Sequence, residues 1–225
     1  MFEDFIKREN KIFEILQEFN NAKLDFIVIG GYGVSSYKHR FSVDADLIIK
    51  KEDKEIFETI LKKKKFIKTI IKDLDHIYTK EFIRYETQNK FNVSFDLLID
   101  GMGSRDTDAS FSFDEILKYS KIRKIIGSEK EVNVLVPDKE ILIVLKLHAG
   151  RLTDIRDIVA LSKDINLDLI KKFIFRGKIN FVKKNVEKLL SLIHDKGFMD
   201  SFKGVFVEKK YDIDLKSLDK LKELL

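Results

Sequence analysis

Residues 26–50, FIVIGGYGVSSYKHRFSVDADLIIK, hold the pattern on which the fold turns. They read as an apolar strand, a glycine turn at Gly30 and Gly31, a short helix, and a second strand carrying Asp44 and Asp46. Side chains alternate along a strand, so two aspartates two residues apart project from the same face. Carboxylates so placed repel each other unless a cation sits between them. Leu47, Ile48 and Ile49 carry that strand onward into a core, which puts the pair at the beginning of a core strand rather than on an outer ribbon. Next to the glycine turn, the pair reads as half of a metal site beside a phosphate site. The competing reading is a solvated strand face after a turn that needs one positive φ.

Working outward, Phe5, Ile6, Ile12, Phe13, Leu16 and Phe19 recur at helical spacing and predict an amphipathic helix over 2–19, ended by Asn20 and Asn21. Strands are expected over 24–29 and 43–49, with helices over 32–39 and 53–62. The β-branched and aromatic segments 76–79, 81–87 and 91–99 read as strands, with Gln88, Asn89 and Lys90 as a hairpin turn. A polar loop over 101–112, a helix over 113–126 and a last strand over 132–136 follow. Pro137 and Asp138 then announce a helix. Helices are predicted over 139–149, 154–162, 167–175, 180–194 and 215–224. The organisation expected is an α/β (α+β) unit over 1–137 and a helical unit over 138–225 packed against it, since no Gly/Ser-rich linker separates them.

Composition narrows the chemistry. Of 225 residues, 44% are hydrophobic and 36% charged, the profile of a globular chain with a good core. The net charge of +5 tolerates a polyanionic partner without demanding one. There is no cysteine, which excludes disulfides, thiolate chemistry and cysteine-based zinc sites. His39, His76, His148 and His194 have no metal-ligand spacing and read as structural or surface residues. Any metal would therefore be a hard cation on carboxylates, magnesium first, with manganese as a substitute. MFEDFIKREN carries acids and bases from its third residue and does not read as a signal peptide. The longest apolar run, Ile141 to Leu145, is far short of the ~18 residues a spanning helix needs. A cytoplasmic protein with no membrane partner is expected.

Several further side chains stand out. Asp96 is the only charge in FNVSFDLLI, and an acid inside an apolar strand must be paired, protonated or metal-bound. It is a candidate third ligand; the alternative is a salt bridge to an Arg or Lys of a neighbouring strand. Asp100, at the end of the same strand, reads as a turn residue. Lys146 is the sole charge in ILIVLKLHA and either snorkels to solvent or meets an anion. On an unbroken helix Asp157 would share its face, but Gly150 intervenes. Arg40 precedes the Asp44–Asp46 strand, within reach of a triphosphate. Arg84 either faces a cleft or covers the sheet. Lys62 to Lys65 reads as a solvated helix end. Neither Ser35 nor Ser36 has the spacing of a Walker loop.

Strand, Gly30-Gly31, short helix, Arg40-x-Ser42-x-Asp44-x-Asp46, strand resembles the signature of the polymerase-β-like nucleotidyltransferase superfamily. KLHAGRLTDIRDIVAL is similar to the helical motif of its AbiEii-type and minimal branch, with Lys146, Arg151, Asp154 and Asp157 at the matching positions. Asp96 falls where the family has its third carboxylate. The resemblance spans roughly residues 24–162 by motif order. Tyr32, which follows the glycines here, is expected to narrow the nucleotide pocket.

The resemblance implies a nucleotidyltransferase-like mixed sheet flanked by helices and followed by a helical region. It implies two-metal transfer of a nucleoside monophosphate from an NTP to a hydroxyl of RNA (tRNA for instance), a protein or a small molecule. By resemblance, Asp44, Asp46 and Asp96 hold the metals, and Asp96 helps deprotonate the acceptor hydroxyl. Gly30, Gly31 and Ser36 cradle the β- and γ-phosphates, Lys146 and Arg40 neutralise charge, and Asp157 orients Lys146 or contacts the acceptor or base. A toxin with a cognate antitoxin is one version. The rival from another class is an inactive nucleotide- or RNA-binding module of the same fold.

Overall fold

The apolar face of the first helix and the alternation of the central strands build one core between them. The computed structural model describes residues 2–74, 76–79, 81–88, 92–204, 206 and 213–225. Helix α1 (Phe2–Asn21) leads into strand β1 (Phe26–Val28), helix α2 (Gly30–Ser35) and strand β2 (Asp44–Ile49). A short 3-10 turn (Lys51–Asp53) precedes helix α3 (Lys54–Lys63), followed by strands β3 (Phe66–Asp73), β4 (Glu81–Thr87) and β5 (Ser94–Ile99). A small hairpin, β6 (Gly101–Gly103) and β7 (Ser110–Ser112), leads to helix α4 (Phe113–Leu117) and strands β8 (Ser120–Ile126) and β9 (Glu131–Pro137). Helices α5 (Lys139–Ala149), α6 (Leu152–Ala160), α7 (Leu167–Ile174), α8 (Ile179–Leu192), α9 (Lys196–Asp200) and α10 (Leu215–Asp219) complete the described chain, with 3-10 turns at Ser201–Gly204 and Lys220–Leu224.

Among the described residues, seven strands form one mixed sheet in the order β3-β4-β5-β2-β1-β9-β8. β2 pairs parallel with β5 and β1 parallel with β9; the other neighbours are antiparallel. β1 and β2 thus lie inside the sheet, which explains their apolar runs. On one face, Phe19 of α1 packs edge-on against Phe57 of α3 at 4.7 Å, Phe26 of β1 at 5.7 Å and Phe95 of β5 at 5.9 Å. Alternation then turns Asp96, next to Phe95, to the opposite face.

Most predicted elements recur within a few residues, and five elements differ. Residues 76–79 form a bend instead of a strand: the Tyr78 amide donates to Ser110 Oγ at 3.1 Å and not to a ladder. The polar stretch 101–112 contains the β6–β7 hairpin. The helix expected over 113–126 stops at Leu117, and Ser120 to Ile126 pair with β9 as the edge strand β8. That edge leaves Ile122 and Ile126 exposed while Ile125 is buried. Strand β3 and helix α9 have no counterpart among the predicted elements. Of the predicted hairpin turn, Asn89 and Lys90 lie outside the described residues, as does Phe91 at the start of the third predicted strand. Among the described residues no helix is long and apolar enough to cross a membrane.

Because Phe19 touches rings from three elements, its truncation should be costly without touching the opposite face. Phe19→Ala is expected to lower unfolding free energy by about 3–5 kcal/mol in a urea titration.

Candidate active site

The sheet register brings the acids together. Parallel pairing sets Asp46 of β2 level with Asp96 of β5, and antiparallel pairing sets Arg84 of β4 level with Asp96. Level residues of adjacent strands lie about 4.5–5.5 Å apart, so Arg84, Asp96 and Asp46 form a row across one face, with Asp44 one step along β2. Arg84 grips Asp96 in a bidentate fork, Nε donating to Oδ1 and Nη2 to Oδ2, both at 2.6 Å. The same Nη2 stands 4.0 Å from Asp44 Oδ2. Ser42 Oγ donates to Asp44 Oδ1 at 2.9 Å.

Asp46 has no ion-pair partner among the described residues. Burial first, then the charges of Asp44 and Asp96, push its carboxyl up to about 7, against the weaker pull of Lys146 and Arg151. Burial also raises Asp96, although Arg84 opposes the shift. The glycine turn lies directly against this carboxylate. Gly30 opens α2 at φ +60, and a Cβ there would overlap Asp46 Oδ2, so both backbone conformation and space require glycine. A Cβ on Gly31 would stand 2.5 Å from Ser42 Oγ.

The second group comes from α5 and α6. Gly150 ends α5 in the left-handed conformation, at φ +62, and the chain turns back into α6. Helical continuity is therefore not what joins Lys146 to Asp157. The turn brings both acids of α6 to the lysine: Nζ lies 3.0 Å from Asp154 Oδ1 and 2.7 Å from Asp157 Oδ2. Arg151 stands at the N-cap of α6, where its backbone N–H donates to Asp154 Oδ2 at 3.1 Å and its Nε donates to the same oxygen at 2.7 Å. Arg40 Nη1 donates to Asp157 Oδ1 at 2.5 Å. Burial depresses the Lys146 ammonium, but Asp157 and Asp154 outweigh it and the net shift is upward. Burial likewise raises Asp154, and its bonds to Arg151 and Lys146 reverse the sign. Three cations share two buried acids, so this wall is net positive. Most of the Arg151 side chain is exposed, within the field of Asp46 and Asp44.

Both groups line one cleft of about 350 Å³. Asp44, Asp46 and Asp96 form one wall with Arg84; Arg40, Lys146, Arg151 and Asp157 form the other; Gly31 lies between them. Two expectations are corrected. Ser36 does not line this cleft: its hydroxyl donates to the Gly33 carbonyl at 2.8 Å, inside its own turn. Ser42 occupies the position by the acids instead. Tyr32 does not narrow the cleft either. Its ring is fully buried against Phe13, and its hydroxyl donates to the Ser42 carbonyl at 3.1 Å. Lys146 is buried and ion-paired, not snorkelling. Asp100 is the turn residue expected, at φ +64. His148 is a core ring 2.8 Å from Thr107 Oγ1, and burial pushes it down to about 4. Sequence reading missed Phe5, Phe41 and Thr153 on the cleft wall; helical or strand periodicity carries no signal for a rim residue.

The donor set fits a hard divalent cation. It is made of carboxylates alone, and one of them has a charge opposed by its surroundings, a penalty that a cation relieves. Among the described residues no three His, Cys, Asp or Glu side chains already surround one point; both oxygens of Asp96 are held by Arg84.

No family model and no curated protein matches the chain. Solved structures do. ANT(2")-Ia in complex with adenylyl-2"-tobramycin aligns with a TM-score of 0.50 at 12% identity, over 78% of this chain and 97% of that one. The fold is similar to nucleotidyltransferase folds. JHP933 from Helicobacter pylori gives a TM-score of 0.49 at 18% identity, covering 99% and 90% of the two chains. The lincosamide antibiotic adenylyltransferase LnuA, lincomycin-bound, gives 0.48 at 16%, covering 70% and 98%.

Two outcomes follow from the electrostatics. Asp46 is raised from 3.8 to about 7, so between those values the metal-free native state binds more protons than the unfolded chain, and this residue's contribution to stability falls as pH rises. In a chelator, Asp46→Asn should melt above wild type at pH 8, and the gap should shrink at pH 5. Lys146→Met leaves Asp157 Oδ2 without its partner while Arg40 and Arg151 still hold the two acids, and should cost about 1–3 kcal/mol in chemical denaturation.

Proposed function

We propose that the chain is a magnesium-dependent nucleotidyltransferase that moves a nucleoside monophosphate from an NTP to a hydroxyl acceptor. One observation carries the reading: Asp44, Asp46 and Asp96 share a cleft wall beside a glycine turn with no room for a Cβ. The superfamily resemblance and the fold support it. Asp44, Asp46 and Asp96 would hold the divalent cation, manganese substituting for magnesium. The cation would supply Lewis-acid stabilisation of charge on the phosphates.

The rest is done by the chain's own groups. Gly30 and Gly31 let phosphates approach the backbone. Arg151, exposed above Asp46 and Asp44, is the cation best placed to meet a triphosphate. Arg40 and Lys146 act mainly through Asp157, each holding one of its oxygens and thereby fixing the positive wall. Asp96 would accept the acceptor's proton once Arg84 lets it go. The acceptor is an RNA end, a protein hydroxyl or a small molecule; the neighbours whose names mention tobramycin and lincomycin add weight to the last. Membership of the AbiEii-type branch, and a cytoplasmic toxin with its antitoxin, rest on the resemblance alone.

The fork between Arg84 and Asp96 favours, as a second reading, a module that binds nucleotide without transferring it. One experiment separates the two. Purified protein is incubated with magnesium and each α-labelled NTP, with tRNA, cell protein or small-molecule extract as acceptor. Label transfer that Asp44→Ala abolishes is the expected result. Nucleotide binding without transfer would support the binding module, and absence of magnesium-dependent NTP binding would sink both.

A further inference from the structure

We propose that Arg84 is an internal counter-ion which the catalytic cation displaces from Asp96, and that the freed guanidinium then takes the nucleotide's phosphates. The inference rests on the reading of Asp44, Asp46 and Asp96 as the cation site.

The geometry supplies the reasons. Both oxygens of Asp96 are spent on Arg84, each at 2.6 Å, so neither is free for a metal while the fork holds. Asp96 is only 4% exposed, and a carboxylate so buried keeps its charge only with a cation beside it. One cation can replace the other; neither can simply leave. Arg84 has room to yield, because its side chain is 29% exposed and lines the same cleft. Its Nη2 also stands 4.0 Å from Asp44, so the guanidinium serves two of the three carboxylates that would hold a divalent ion.

Once displaced, it carries a planar fork of donors into a cleft whose bound substrate is anionic. Such a fork matches phosphate oxygens two at a time. Metal and nucleotide are then coupled: each removes an obstacle to the other, and the coupling is reciprocal. Without nucleotide, the metal must break the fork with no compensation for the guanidinium. With nucleotide, it is compensated. Arg84 acts here as a positioning residue that keeps Asp96 from the metal until substrate arrives.

The test is manganese binding, followed by calorimetry and by the electron paramagnetic resonance of free manganese, with and without a non-hydrolysable NTP. Arg84→Ala should bind manganese at least about tenfold more tightly than wild type in the absence of nucleotide. The tightening produced by the NTP analogue should be large in wild type and much reduced in the variant. Arg84→Lys, which keeps the charge without the fork, should fall between them, and it reads the same effect if the alanine variant does not fold. Manganese affinity that is unchanged or weaker in both variants, or an equal nucleotide effect in all three proteins, overturns the proposal. Asp44→Ala keeps the two readings apart. If it abolishes manganese binding while the Arg84 variants match wild type, only the Arg84 inference fails. If it leaves binding intact, the carboxylate site fails with it.

Discussion

Like charges on adjacent strands govern this molecule. Parallel pairing of β2 with β5 sets Asp46 beside Asp96, with Asp44 on the same face two residues away. In a half-buried cleft such a cluster is unfavourable unless cations answer it. The surrounding architecture reads as the answer. Arg84 comes from β4 on one side, Arg151 from the head of α6 on the other, and the lack of a side chain at Gly30 leaves room for the Asp46 carboxylate. Among the described residues Asp46 remains without an ion-pair partner, and burial together with the charges of Asp44 and Asp96 raises its affinity for a proton.

The opposite wall solves a different problem. A lysine within an apolar helix needs anions, and the helix that follows supplies two. Their remaining oxygens reach Arg151 and Arg40, so one buried ion-pair chain runs from the segment before β2 to α5 and α6. Each acid is held by two cations at once, which makes the chain a strong constraint on geometry even where its net stabilisation is small. It is also how residues 138–160 come to form the second side of a cleft whose first side is the sheet.

Much of this was readable in one dimension. The D-x-D alternation placed both aspartates on one face, and the lone charges Asp96 and Lys146 announced that each needed a partner. Two failures are equally physical. The resemblance gives Ser36 a place at the phosphates, but a hydroxyl near a helix end readily bonds its own backbone, as Ser36 does to Gly33. The segment 113–126 leans to helix in the sequence, yet residues 120–126 find a ladder partner in β9, and pairing with another strand is not specified by local propensity.

Local chemistry in the chain thus set which groups are charged inside apolar runs, where the backbone must be glycine, and which faces the strands present. Partner choice was a matter of three dimensions. The linear order offered Asp96 a metal or a basic neighbour, and strand register chose Arg84, because pairing brings residues 84 and 96 level across β4 and β5. Lys146 and Asp157 would be aligned by a continuous helix, but they meet through a left-handed turn at Gly150 that folds one helix back on the next. Periodicity specifies a face; only the packed chain brings two faces within reach of a hydrogen bond, since such contacts act over a few ångströms and carry no memory of sequence separation.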